Sequence, residues 1–459
     1  MATRIESDSM GTMEVPCSVY YGAQTARSLI HFSIGKHKMP LPVIHAFGII
    51  KKAAAEVNWE LGKLTEDKKQ WITQSANEVA EGLLDTHFPL KIWQTGSGTQ
   101  TNMNVNEVIA NRAIELSGGV MGSKSPIHPN DDVNLSQSSN DTFPTAMHIS
   151  AAKSLKFHFL PVLKKLRDSL HKKSIDFQNV VKIGRTHLMD AIPLTLGQEF
   201  SGYVNQIEQN IERIEMVVPS LYELAIGATA VGTGFNAPKF FAKKMCEKIS
   251  YYTELPFKPA KNKFSAIATH DSLVAVHSAL KGLAVSLIKI TTDLSLLGSG
   301  PRCGLGELLF PENEPGSSIM PGKVNPTQCE ALAMICVHLI GNDQAISIAG
   351  SRGNFQLNVF KPMIIHNFLE SLSLLTEGLH SFNEYFIKDL KPNYLNIKKH
   401  IESSLMLVTA LSPVIGYDKA AKTAHKAFHE NMTLKEACLA LGFLSEEDFD
   451  RLVQPEKML

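Results

Sequence analysis

Phe200, Val204, Ile207, Ile211, Ile214, Val218 and Leu221 recur at alternating steps of four and three. This spacing lays them on one stripe of a long helix. Gln206, Glu208, Gln209, Glu212 and Glu215 take the other faces. Leu155, Phe159, Leu163, Leu166 and Leu170 form a second stripe, and Pro161 inside it predicts a kink or local break. Segments 271–297, 327–349 and 357–388 are apolar on most faces. Helices of that kind are usually buried on all sides, so the core is expected to be larger than one subunit and the chain to be a homo-oligomer. Strand signals are sparse. The expected fold is all-α, with a bundle of long helices over 138–390. A mixed helical part over 1–137 precedes it and a small helical tail over 391–459 follows.

At 459 residues the chain is too long for one compact core. Lys plus Arg and Asp plus Glu number 45 each, so no global field favours nucleic acid or an anionic membrane. Cys17, Cys246, Cys303, Cys329, Cys336 and Cys438 are scattered without CxxC spacing. That pattern fits reduced thiols in a cytoplasmic protein and gives no sign of a zinc site. The start, "MATRIESDSMGTMEVP", carries charge and lacks the apolar core of a secretory signal. A processed mitochondrial form would look the same. No stretch of roughly 18 apolar residues is free of charge and punctuation, so no membrane span is expected.

Several motifs fail on inspection. "GSSIMPGK" has five residues between Gly316 and Gly322 where a phosphate loop needs four, and Val324 stands where a magnesium-binding hydroxyl would be. "GSGTQT" at 96–101 lacks the third glycine of a dinucleotide loop. Ser318 and Lys323 are too far apart for an SxxK pair. A Schiff base on Lys323 has no other feature to support it.

Four polar segments interrupt the helical sequence. They are "TGSGTQTNMN" (95–104), "HPNDDVNLSQSSND" (128–141), "GRTHLMDA" (184–191) and "GSSIMPGKVNP" (316–326). Each alone reads most simply as helix capping. Together they carry more hydroxyls and amides than caps require, with a histidine and a lysine among them. Helix N-termini favour anions, so the inventory suits a small di-anion.

"GSSIMPGKVNPTQCE" (316–330) matches the GSSxMPxKxNPxxxE signature, and the chain resembles the fumarase/aspartase superfamily along nearly its whole length. The resemblance implies an all-α, three-domain chain, tetrameric through a shared central bundle, with active sites drawn from three subunits. "GRTHLMDAIPLTLGQEF" and "SGTQTNMN" look like the class II fumarase branch. Aspartases of this fold typically carry Gln at the positions of His187 and Met189, and tend to have Ser at that of Gln100. "ALSPVIGYD" at 410–418 departs slightly from the fumarase pattern. The branch implies reversible hydration of fumarate without metal or organic cofactor.

By the same resemblance, Ser317 is the proton-abstracting base and His187 the acid/base for the hydroxyl or its water. Glu330 orients and charges His187. Lys323 and Asn325 stabilise the aci-carboxylate together with N–H groups of the 316–323 loop, and Val324 beside them contacts the substrate. Ser97, Gly98, Thr99, Ser138, Ser139, Asn140, Thr186 and Ser318 contact the substrate carboxylates and the water. His128, Pro129, Asn130 and Asp131 match a second dicarboxylate site, with a plain Asx-turn as the rival reading. Gly316 and Gly322 would let the 316–323 loop act as a mobile lid that ends where the helix carrying Glu330 begins.

Overall fold

The computed structural model describes residues 2–459. Helices dominate, and the four sheets have two strands each. The first stripe lies on helix Leu196–Val217 and the 3-10 turn Val218–Tyr222, and its seven residues are all buried. The second stripe is buried as well. Pro161 does not break its helix. A π-helical turn, Ser154–Phe159, joins helix Ser139–Lys153 to helix Leu160–Asp176. This wider turn sits where the proline's missing N–H and its ring would disturb an α-helical ladder.

The three apolar segments become helices Asp271–Leu297, Thr327–Gly350 and Lys361–Phe382. Within one chain they are not buried on all sides. Val285, Met334, Val337 and Ile348 are 56–68% exposed. Helices Asp271–Leu297 and Thr327–Gly350 are long and apolar enough to cross a bilayer by length and composition alone. They nevertheless carry paired charges along their length. Asp343 is bonded to His277 at 3.0 Å and to Lys281 at 2.5 Å, and Lys289 pairs with Asp293. Core helices of water-soluble folds meet the same length and composition test.

The chain forms two compact units. The first comprises Met1–Pro161, Glu212–Ala284 and Val337–Thr376. It includes an N-terminal hairpin, Thr3–Asp8 with Gly11–Pro16, which periodicity did not reveal. Helices Leu41–Glu60, Glu66–Ala80, Thr99–Leu116 and Ser139–Lys153 also belong to it. The second comprises Val162–Ile211, Val285–Cys336 and Glu377–Leu459. Here hairpin Val181–Thr186 with Met189–Thr195 is rooted by Ile183, which packs with Leu407, Leu411, Ala437 and Phe449 of the helical tail.

Candidate active site

In the first unit the 95–104 and 128–141 segments converge through buried amides. Asn102 sits in helix Thr99–Leu116 and is fully buried. Its Nδ2 donates to Asn134 Oδ1 at 3.1 Å and to Ser139 Oγ at 3.0 Å. Ser97 and Thr99 share a hydroxyl hydrogen bond of 2.9 Å. Gly98 caps that helix in the left-handed region (φ 78°), without any side-chain cap. A Cβ there would lie 2.1 Å from the Phe143 ring, so only glycine fits. Gln94 Oε1 accepts from the Thr101 N–H at 3.1 Å and Ser97 Oγ from the Thr99 N–H at 3.4 Å, and the positive end of the helix dipole beside these hydroxyls favours a carboxylate.

Ser138 is the N-cap of helix Ser139–Lys153, in a capping box with Asp141. The capping reading therefore holds for this residue's backbone role. Asp141 is fully buried, and its Oδ2 accepts from the Gly227 and Thr229 N–H groups at 2.9 Å each. Asn140 Nδ2 donates to the Ala230 carbonyl at 2.8 Å. Lys51, also buried, donates to Asn134 Oδ1 and Gln137 Oε1 at 3.0 Å each. Burial pushes the Lys51 ammonium down to about 7, with Asp141 opposing. Burial pushes Asp141 up to about 6, against three backbone N–H donors and Lys51. Lys51, Asn102, Asn134 and Asp141 were not singled out from sequence. Only Asp141 left a signal, the Ser-x-x-Asp spacing of a capping box. Lys51 could not be told from its exposed-looking neighbour Lys52.

His128 caps a π-turn, Pro129–Val133, rather than forming part of an Asx-turn. Its Nδ1 accepts from the Asn130 and Asp131 N–H groups at 3.1 and 3.2 Å. His128, Pro129 and Asn130 line a pocket of about 330 Å³ with Lys124, Glu6 and Asp8.

The second unit holds the remaining candidates. His187 and Leu188 are the two turn residues of the second hairpin, with φ 58° and 62°. Two left-handed residues between the Thr186–Met189 pair make a type I′ turn, normally the preserve of Asn and Gly. Such strain at His187 is the kind found at functional positions. Thr186, His187 and Leu188 are exposed at the tip. The hairpin base is fixed by Glu307, whose side chain is fully buried. It receives Arg185 at 2.7 and 3.1 Å, His400 at 2.9 Å and Lys182 at 3.3 Å. Burial pushes Glu307 up, but Arg185, Lys182 and His400 together hold it below the ordinary carboxylate value.

The 316–325 loop is closed at its neck. Gly316 N–H donates to the Lys323 carbonyl at 2.9 Å, and Asn325 Nδ2 donates to the Gly316 carbonyl at 2.6 Å. A Cβ on Gly316 would lie 2.2 Å from that lysine carbonyl. Inside the loop Ser317 Oγ accepts from the Met320 and Ile319 N–H groups at 3.0 and 3.3 Å. Two donors aimed at one oxygen favour negative charge on it. Ser318 and Lys323 are exposed, while Val324 and Asn325 are half-buried. Lys323 has no carboxylate partner among the described residues. Glu330 lies exposed in the first turn of helix Thr327–Gly350. Among the described residues no hydrogen bond or ion pair joins it to His187, so the expected pair is not made within one chain.

Residues 11–341 match the Lyase family and residues 407–459 match the Fumarase C C-terminus family. The fumarate hydratase class II of Thermosynechococcus vestitus is 60% identical over 457 residues, covering 100% of this chain and 98% of that protein. The fumarate hydratase class II of Chlamydia pneumoniae is 60% identical over 456 residues, covering 99% of each. The chain belongs to the class II fumarases. The crystal structure of a class II fumarase from Schistosoma mansoni matches with a TM-score of 0.97 at 45% identity, over 100% of this chain and 99% of that one. Likeness of this extent places the whole chain, including the departure at 410–418, within the class II fumarase fold.

Proposed function

We propose that this chain catalyses the reversible hydration of fumarate to L-malate, the carbon–oxygen lyase step of the tricarboxylic acid cycle. The substrate is a small dicarboxylate. The observation that carries the chemistry is the closed 316–325 loop, in which Ser317 Oγ already receives two N–H groups and Lys323 stands free of protein carboxylates. In the dehydration direction Ser317, as alkoxide, takes the C–H proton beside a malate carboxylate. The electron pair moves onto that carboxylate, giving an aci-form held by Lys323, Asn325 and loop N–H groups. His187 then protonates the departing hydroxyl, which leaves as water. Glu330 orients and charges His187. Ser97, Gly98, Thr99, Ser138, Ser139, Asn140, Thr186 and Ser318 hold the carboxylates and the water. His128 to Asp131 form the second dicarboxylate site.

The homotetramer belongs to the same proposal. It is supported by the exposed apolar faces of the long helices and by the single chain's unpaired His187 and Glu330. The three-part division at 137/138 and 390/391 and a cytoplasmic location complete it. The test is ultraviolet absorbance of the fumarate double bond when the purified protein meets L-malate with a chelator and no ammonium. A rise in absorbance is expected. No rise with malate, but a rise with L-aspartate, would refute the hydratase reading in favour of an ammonia-lyase.

A further inference from the structure

Three ligand atoms from His37, His366 and Glu370 lie within 4.8 Å of one another, all in the first unit. None of these residues has a part in the hydration chemistry above. His366 and Glu370 are four residues apart on helix Lys361–Phe382 and so share a face. His37 comes from the segment between helices Ala23–His31 and Leu41–Glu60, and that segment is pinned. Ile92 N–H donates to the His37 carbonyl at 3.2 Å, Met39 N–H donates to the Leu90 carbonyl at 3.0 Å, and Lys38 bridges Lys91.

The His37 and His366 rings stand 5.1 Å apart at 53°. Glu370 Oε1 is 4.0 Å from His366 Nε2. Its Oε2 is hydrogen-bonded to His338 Nε2 at 3.3 Å, which fixes the carboxylate from outside. Asn342 backs the same oxygen at 3.5 Å and is itself held by Ser371 at 3.0 Å. Supporting bonds of this kind orient metal ligands. Glu370 already has a histidine partner in His338, so hydrogen bonding leaves no reason for two further imidazoles to face it. The His37 ring makes no hydrogen bond among the described residues.

We propose that His37, His366 and Glu370 form a binding site for a divalent transition-metal cation, zinc or cobalt in type, with water in the remaining position. Two imidazoles and one carboxylate suit these ions, whereas calcium and magnesium prefer all-oxygen sets. With bonds of about 2.0–2.1 Å, a tetrahedral ion needs ligand atoms about 3.3 Å apart. Closing from 4.8 Å is within reach of side-chain rotation, because His37 is exposed and Glu370 half-exposed. The ion would tie the His37 segment to helix Lys361–Phe382 and take no part in the hydration step.

The test is equilibrium dialysis of the chelator-stripped, full-length protein against Zn²⁺, with Co²⁺ visible absorption as a second probe. One ion per chain is expected, with a rise in Tm at saturating metal. His366→Gln and Glu370→Gln should each weaken binding by about tenfold or more, with fumarate hydration unchanged. If either variant misfolds, His37→Gln in its exposed segment makes the same test. No stoichiometric binding to the wild type would overturn the proposal. So would equal binding by the folded variants, which would put the ion elsewhere, such as on the exposed Cys17 or Cys303.

Discussion

In the proposed mechanism Ser317 carries the most chemistry per atom. A free hydroxyl is far too weak an acid to serve as a base at neutral pH, so its surroundings must favour the alkoxide. The Met320 and Ile319 N–H groups do part of this, and Lys323 in the same loop is the candidate for the rest. Ser317 bonds nothing outside its own loop among the described residues. Ser317→Ala should therefore fold normally, with a stability change within about 1 kcal/mol. It should lose about 10²–10⁴-fold in kcat, the range for removing a general base. Near-normal turnover would assign the proton abstraction to another group. The signature picked out Ser317, Lys323 and Asn325 as candidates in the sequence. The residues beneath the site were not legible. Lys51, Asn102 and Asn134 act by burial and mutual bonding, and a sequence string does not show which of two adjacent lysines faces inward.

Among elements, the long helices were legible because a 3.6-residue stripe is a strong signal, and all twelve stripe residues singled out are buried. The hairpins were missed for a physical reason. Strand Met189–Thr195 is exposed near the turn and buried only towards its far end, without clean alternation along its length, and its turn is His-Leu where a hairpin usually declares itself with Asn-Gly. What holds that strained turn in place is the Glu307 network at its base. Removing the charge with Glu307→Gln would leave Arg185, 15% exposed, without its carboxylate, and would leave the buried Lys182 with Glu199 alone, at 2.8 Å. Breaking a buried pair of this kind costs about 3–5 kcal/mol, so a clear fall in Tm is expected. Activity should fall with it as the His187 tip loses its register. The pH dependence has a definite sign. Glu307 is held below its ordinary value of 4.5, so its contribution is complete above that pH. It declines as pH falls through 4.5 and below, where the unfolded chain takes up the proton first. The Gln variant should lack this part of the acid slope. A variant Tm equal to wild type at pH 7 would mean that the network does not anchor the hairpin.

For the whole molecule, the telling fact is that the most apolar helices are left largely uncovered. Only 28% of the most apolar stretch of helix Thr327–Gly350 is buried, with Met334, Val337 and Ile348 left outside. Exposed apolar area on this scale marks an interaction surface, and the occupants proposed for it are further copies of the chain. If each active site takes Ser317 and His187 from different subunits, two dead variants should rescue each other. Ser317→Ala and His187→Asn would each be inactive as homotetramers. Co-expressed in equal amounts, they would assemble sites at random, and about one quarter of those sites would combine an intact Ser317 with an intact His187. Activity near that fraction of wild type is the expected result, with tetramer mass confirmed by light scattering. If both residues instead came from the same chain, no mixed site would be intact. Activity would then stay at the level of the single variants, and the shared-site reading would fail while the hydratase assignment stood.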